Sequence, residues 1–208
     1  MAKRKKLPKQ LLVEGKDDQH VIWALCEKFQ LPQTFQVEDC GGIDNLFEQI
    51  PVRLKASDLN TLGIIIDADI DLIKRWQTIT QQLLPTFSSL PTNLPKEGLV
   101  HQEDDKKVGV WIMPNNNLSG MLEDFIQFLV PDEDQLMPIV QQHIADIEAR
   151  KLQKYKTTFH SKAEIHSWLA LQEDPGTPFG LSITKRYLTV DKEQCQLFVN
   201  WLRQLFAA

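Results

Sequence analysis

LGIIIDADID, residues 62–71, runs an apolar stretch straight into three aspartates at alternate positions. Leu62 to Ile66 is continuously hydrophobic, which predicts a strand buried on both faces, as in a parallel sheet. Neighbouring carboxylates repel one another, and each prefers water. A divalent cation explains why Asp67, Asp69 and Asp71 gather where the strand ends. An ordinary loop, with Asp71 capping the next helix, is the plain alternative.

Before this stretch the chain repeats one pattern twice. Leu11-Leu12-Val13 is a short apolar strand that ends in Glu14-Gly15. Asp17 and Asp18 open a helix, where carboxylates suit the N-terminal dipole. Its buried face carries Val21, Leu25 and Phe29, flanked by Ile22 and Cys26. Residues 35–40 form a weaker strand closed by Gly41-Gly42. Ile43, Leu46, Phe47 and Ile50 follow at helical spacing, and Pro51 is expected to end or kink that helix. After the aspartates, Leu72, Trp76, Ile79 and Leu83 mark a third helix. Three strand–helix units in 84 residues predict an α/β domain with right-handed crossovers. In such sheets the ligand site lies beyond the carboxyl ends of the strands, where both Glu14 and the aspartates fall.

The rest is less regular. Residues 85–107, with Pro85, Pro91, Pro95 and Gly98, read as a long loop or insertion. Val108 to Met113 is a fourth strand, and Asn115-Asn116-Asn117 a turn. Leu118, Met121, Leu122, Phe125, Ile126 and Leu129 form a helix face. Beyond residue 130 the pattern is mainly helical. Leu136, Ile139, Val140, His143 and Ile147 share a stripe. Ser161 and Glu164 have capping-box spacing, and Asp191 and Gln194 make a weaker cap before Cys195. Asp174 to Pro178 is a rigid, non-helical connector. The division is an α/β domain over 9–130 and a helical C-terminal extension, packed on it, over 131–208.

The 208 residues are 42% hydrophobic and carry a formal charge of −5, enough for a real core and without a basic footprint. The basic run Lys3-Arg4-Lys5-Lys6 reads as a solvated tail or a phosphate contact. Cys26, Cys40 and Cys195 form no CxxC pair, so zinc and disulfide frameworks are not expected, and a reducing cytoplasm fits. No apolar run reaches the roughly 18 residues of a membrane span.

Glu14 can point over the sheet edge. Asp18, four residues on, lies one helical turn further and can face the same region. Asp67 and Asp69, two apart, project the same way from an extended segment. Magnesium wants hard oxygen ligands and needs only one or two carboxylates when a phosphate supplies the rest. A second ion would clamp the attacking and leaving oxygens of a phosphoryl transfer. Asp17 reads as a dipole-compensating surface residue. The five histidines form no close ligand pair, and the five tryptophans read as core.

LLVEG at 11–15 and GIIIDAD at 63–69, in this order, resemble the TOPRIM domain of topoisomerases, primases and several nucleases. The match spans residues 9–130. It implies a Rossmann-like parallel sheet flanked by helices, with Mg²⁺, or Mn²⁺, held by Asp67 and Asp69. Glu14 would serve in metal binding or acid–base chemistry. Glu14 with Asp18 resembles the TOPRIM of the OLD-type nucleases, and small stand-alone bacterial TOPRIM-like proteins look closer still. Met121-Leu122-Glu123-Asp124 adds Glu123 as a further metal ligand by that resemblance. Met121 stands where those nucleases place a serine. Their late lysine maps to Lys185 as a stabiliser of phosphate charge, against the plain reading of a solvated surface lysine. The implied substrate is DNA or RNA. The ATPase domain that accompanies OLD-type TOPRIM domains is missing, so an ATPase partner would be a separate polypeptide. The competing readings are a TOPRIM-like binding or regulatory protein without catalysis, and a phosphohydrolase or receiver domain. The last usually places its essential aspartate after the first strand, where this chain has Glu14.

Overall fold

A computed structural model describes residues 7–207. The basic run at residues 3–6 lies outside them. Five strands form one sheet: β1 (Lys9–Val13), β2 (Gln36–Asp39), β3 (Thr61–Asp67), β4 (Leu99–Glu103) and β5 (Lys106–Met113). Their spatial order is β2-β1-β3-β5-β4. All neighbours are parallel except the β4–β5 pair. The fold is α/β, a mostly parallel sheet flanked by helices, with a helical C-terminal part.

Strand alternation decides which layer each helix joins. Leu12, Leu62, Ile64, Ile66, Val108 and Val110 face α2 (Ile43–Leu54) and α3 (Leu72–Leu83). Leu11, Val13, Ile65 and Trp111 face the other way. There they join one core with α1 (Lys16–Lys28), α4 (Leu122–Phe128), α5 (Leu136–Ala149), α6 (His160–Leu169), α7 (Phe179–Thr184) and α8 (Glu193–Phe206). The C-terminal helices therefore share the core of the sheet itself. Gly63 and Gly109 are register partners on β3 and β5. A Cβ on Gly109 would lie 2.5 Å from Leu205 of α8, and one on Gly63 would lie 2.9 Å from it. The glycine pair thus lets α8 seat directly on the sheet.

The chain leaves β1 for β2 on one side and returns to β3 on the other. Between β1 and β3 the strand order reverses, and their carboxyl ends flank a crevice. Glu14 follows β1 and Asp67 ends β3, so the topology sets the two carboxylates on either side of it.

Several expectations are corrected. Pro51 does not end α2, which continues to Leu54. Leu54 is buried against the α2–α3 side of the core, so its burial outweighs the backbone bond that proline cannot donate. The stretch read as a loop over 85–107 contains β4, which forms a hairpin with β5 around Asp104-Asp105. Leu118 lies outside α4 and is exposed. The buried stripe of α5 is Met137, Val140 and Ile144, while Ile139 is 65% exposed. Ser161 and Glu164 make no capping box. Helix α6 begins at His160, after a 3-10 turn at Thr157–Phe159, and both side chains bond to other elements instead. Helix α8 begins at Glu193, so Asp191 is not its cap.

Candidate functional site

Four chain segments converge at the carboxyl edge of β1 and β3. Glu14 leaves β1 and accepts a 2.8 Å hydrogen bond from the Asp67 N–H through Oε1. Asp67 in turn accepts from the Leu122 N–H at 2.9 Å, which ties β3 to the first residue of α4. Asp18 lies on the first turn of α1 and reaches back to accept from the Gly15 N–H at 3.1 Å. Glu123, on the first turn of α4, is only 5% exposed. Lys162, on α6, places its Nζ 2.7 Å from Glu123 Oε1.

These carboxylates press on one another. Burial, then the Glu14 charge and more distantly Glu123, push Asp18 up to about 7, against the backbone bonds it accepts. Burial raises Asp67 well above the carboxylate range, with Asp18, Glu14, Glu123 and Asp69 adding in that order. Glu14 is raised by burial too, although the Asp67 N–H and the Arg75 charge pull it back. A raised carboxylate is one whose charge the surroundings fail to stabilise. Burial alone would lower the Lys162 pKa, but Glu123, Asp17 and Asp67 together hold that ammonium above its ordinary value.

Asp69 stands apart. Its backbone is left-handed, at φ 52°, a conformation aspartate tolerates. Its N–H donates to the Gly120 carbonyl at 2.8 Å, pinning the β3 exit to the loop before α4. Its carboxylate pairs with Arg75 and is 46% exposed. The structure thus brings Glu14, Asp18, Asp67 and Glu123 into one electrostatic cluster and leaves Asp69 at its rim. Asp71 caps α3 by accepting from the Lys74 N–H at 2.9 Å, the plain alternative for it.

The lysine that the resemblance implies as a stabiliser of phosphate charge is Lys185. It ends α7, pairs with Asp174 and lies 5.9 Å over the Tyr187 ring. Lys162 is the lysine whose charge bears on the cluster. It sits 39 residues past Glu123, on a helix whose sequence has no strand-end signature, so the sequence reading passed over it. Among the described residues, no three acidic, histidine or cysteine side chains form a ready-made metal cage. Backbone N–H groups hold one oxygen each of Glu14, Asp18 and Asp67.

A family model described as a protein of unknown function, DUF3226, matches residues 8–207. The chain belongs to the DUF3226 family. The match covers both the sheet and the C-terminal helices, so the family boundary encloses Lys162 as well as Glu14 and Asp67. The family description assigns no activity to DUF3226 proteins. Comparison with curated proteins and with solved structures finds no match for this DUF3226 chain.

Proposed function

We propose that this protein is a Mg²⁺-dependent phosphodiester hydrolase acting on nucleic acid, with a TOPRIM-like catalytic edge. One observation carries the reading: Glu14, Asp18, Asp67 and Glu123 meet at the switch point of the sheet and repel one another there. The donors are all carboxylate oxygens, which suits a hard cation. Their protonation-favouring environment is the kind that a bound dication inverts. Asp18 and Asp67 would hold the ion, with Glu123 beside them and Glu14 either as a third ligand or as the proton carrier. Bound Mg²⁺, or Mn²⁺, would supply charge neutralisation at the phosphate and a water activated for attack on phosphorus.

The chain's own residues supply the rest. Glu14, raised by burial, is suited to carry a proton between the attacking water and solvent. The Asp67 N–H fixes its Oε1, so proton transfer falls to the other oxygen. Lys162 offsets Glu123 and presents a cation to a phosphate oxygen. Arg75 holds Asp69 at the rim, where a phosphate can compete for the guanidinium. Three free, buried cysteines fit a cytoplasmic protein, and no helix among the described residues is long and apolar enough to cross a membrane.

The test is incubation of purified protein with mixed DNA and RNA, in Mg²⁺, in Mn²⁺ and in EDTA. Metal-dependent cleavage that Glu14→Gln and Asp67→Asn abolish is the expected result. Cleavage undiminished in both variants would end the proposal. A second reading, a binding or regulatory protein that keeps the fold without catalysis, draws support from the backbone bonds that occupy the carboxylates and from the missing preformed cage among the described residues. It expects nucleic-acid binding with no turnover in any metal.

A further inference from the structure

Asp69 lies between two clefts. On one side, a cavity of about 260 Å³ is lined by Asp69, Asp71, Lys74, Arg75 and Thr78. On the other, a cavity of about 630 Å³ runs from Asp69 and Ile70 along Gly120 to Lys156, Thr157, Thr158 and Phe159. Cations and hydroxyls line both clefts beside the carboxylates of Asp69, Asp71 and Asp124, although the protein carries a formal charge of −5. Lys156 forms no ion pair among the described residues. Thr157 and Thr158 are exposed beside it, and the Phe159 ring, 41% exposed, lies among these groups. Ile70, 76% exposed, lines both clefts beside Asp69.

We propose that the two clefts form one path for a single polynucleotide strand, crossing the carboxylate edge at Asp69. The inference rests on the hydrolase reading and adds the direction and the kind of substrate. Phosphates on one side of the reacting bond meet Lys74 and Arg75. Phosphates on the other meet Lys156 and the threonine hydroxyls. A cation at each end with carboxylates between them suits a chain of phosphates better than a mononucleotide, which would fill one cleft alone.

Phe159 decides between strand and duplex. An exposed ring set among phosphate-binding groups can stack only on a base whose face is free, and in a duplex that face is covered. Ile70 offers an apolar surface beside Asp69. The reading does not require basic surface elsewhere, because the phosphate contacts are local.

Fluorescence anisotropy tests this with a labelled 15-nucleotide single strand, as DNA and as RNA, against the matching duplexes. Ca²⁺ replaces Mg²⁺ to hold off cleavage. Wild-type protein should bind single strands more tightly than duplex. Phe159→Ala should weaken single-strand binding about tenfold, and Phe159→Trp should restore it. Lys156→Ala should weaken binding and reduce the salt slope by about 0.7, the value for one lost phosphate contact on a single strand. Lys28→Ala, on the last turn of α1, should bind as wild type, and all variants should melt with wild type. Unaltered binding by Phe159→Ala and Lys156→Ala would overturn the path and leave the hydrolase reading standing. Duplex preference, insensitive to Phe159, would overturn it as well. If wild-type protein binds no polynucleotide at all, the path and the hydrolase reading fall together.

Discussion

Glu148 and Glu164 lie on neighbouring helices and share one imidazole; Glu14, Asp18 and Asp67 lie at the sheet edge and share none. His160 reaches Glu148 from Nδ1 and Glu164 from Nε2, each at 2.9 Å. Tyr155 adds a hydroxyl to Glu148, and Gln127 an amide to Glu164. Those bonds hold Glu148 below the usual carboxylate range, with His160 the largest cause and Tyr155 next. At the sheet edge the shifts run the other way. The protein answers its α5–α6 carboxylates with its own donors. At the sheet edge it offers backbone N–H groups, one lysine on Glu123, and the Arg75 charge, which Asp69 already shares. Acidic clusters of similar make-up therefore divide by the source of their counter-charge, and the unanswered one is the candidate for an external cation.

The largest test of that contrast is chemical. Asp67→Asn should lower metal-dependent cleavage by about a thousandfold, as expected when a charge acting on the transition state is removed. Glu164→Gln, a comparable change in the answered cluster, should leave the rate within a few fold. Gel-based cleavage kinetics would read both, and equal losses would erase the distinction.

The next effect is on stability without metal. The Asp18 pKa is raised in the folded state, so the native protein binds more protons than the unfolded chain between about pH 4 and pH 7. Stability is therefore full below the unfolded value and falls as pH rises through this window, by on the order of a few kcal/mol above it. Asp67 and Glu14 push in the same direction. Asp18→Asn keeps an oxygen for the Gly15 N–H and removes the charge. In EDTA at pH 8 it should raise the melting temperature and flatten its pH dependence. Adding Mn²⁺ should stabilise wild type more than this variant.

His160 gives a smaller effect with the same pH direction, although here removing the side chain destabilises. Its Glu148 hydrogen bond raises its pKa against burial, with Glu164 helping. Its contribution is full below the unfolded value and is lost as pH rises through the folded one. His160→Ala should cost about 1–3 kcal/mol in acid and less in alkali, because Glu164 loses a partner while buried. Urea denaturation at pH 5.5 and pH 8.5 measures the difference, and a deficit that grows with pH would refute it.

The smallest effect separates two lysines. Lys185→Met should change stability by less than about 0.5 kcal/mol, as for exposed pairs, and leave cleavage unaltered. Lys162→Met should slow cleavage, since it removes an ammonium that pairs with Glu123 and is held above its ordinary value in part by Asp67. Rates for the pair, measured side by side, would show a reversal if Lys185 were the active one.

The part of this that local pattern makes legible follows from strand periodicity. Glu14 and Asp67 are readable because each directly follows an uninterrupted buried run, and strand ends in a parallel sheet share one edge. Asp18 is readable from helical spacing to Glu14. Glu123 rested on a motif resemblance alone, since nothing in its local pattern points inward. Lys162 depends on how α6 packs against α4, a contact between segments nearly 40 residues apart. Strand β4 escaped notice because His101, Gln102 and Glu103 make it polar, and an antiparallel edge strand needs no double-sided burial. The expected α5 stripe held both Ile139 and Val140, which are equally apolar; packing buries Val140 with Met137 and Ile144 and leaves Ile139 exposed.

Crystals soaked in Mn²⁺ and measured at the manganese edge would show whether a cation joins these carboxylates. An anomalous peak is expected within coordination distance of Asp67, with Glu14 or Asp18 as a second protein ligand and the Glu14 and Asp18 side chains turned toward the ion. A soaked crystal with no peak at that edge, at millimolar Mn²⁺ and neutral pH or above, would contradict it.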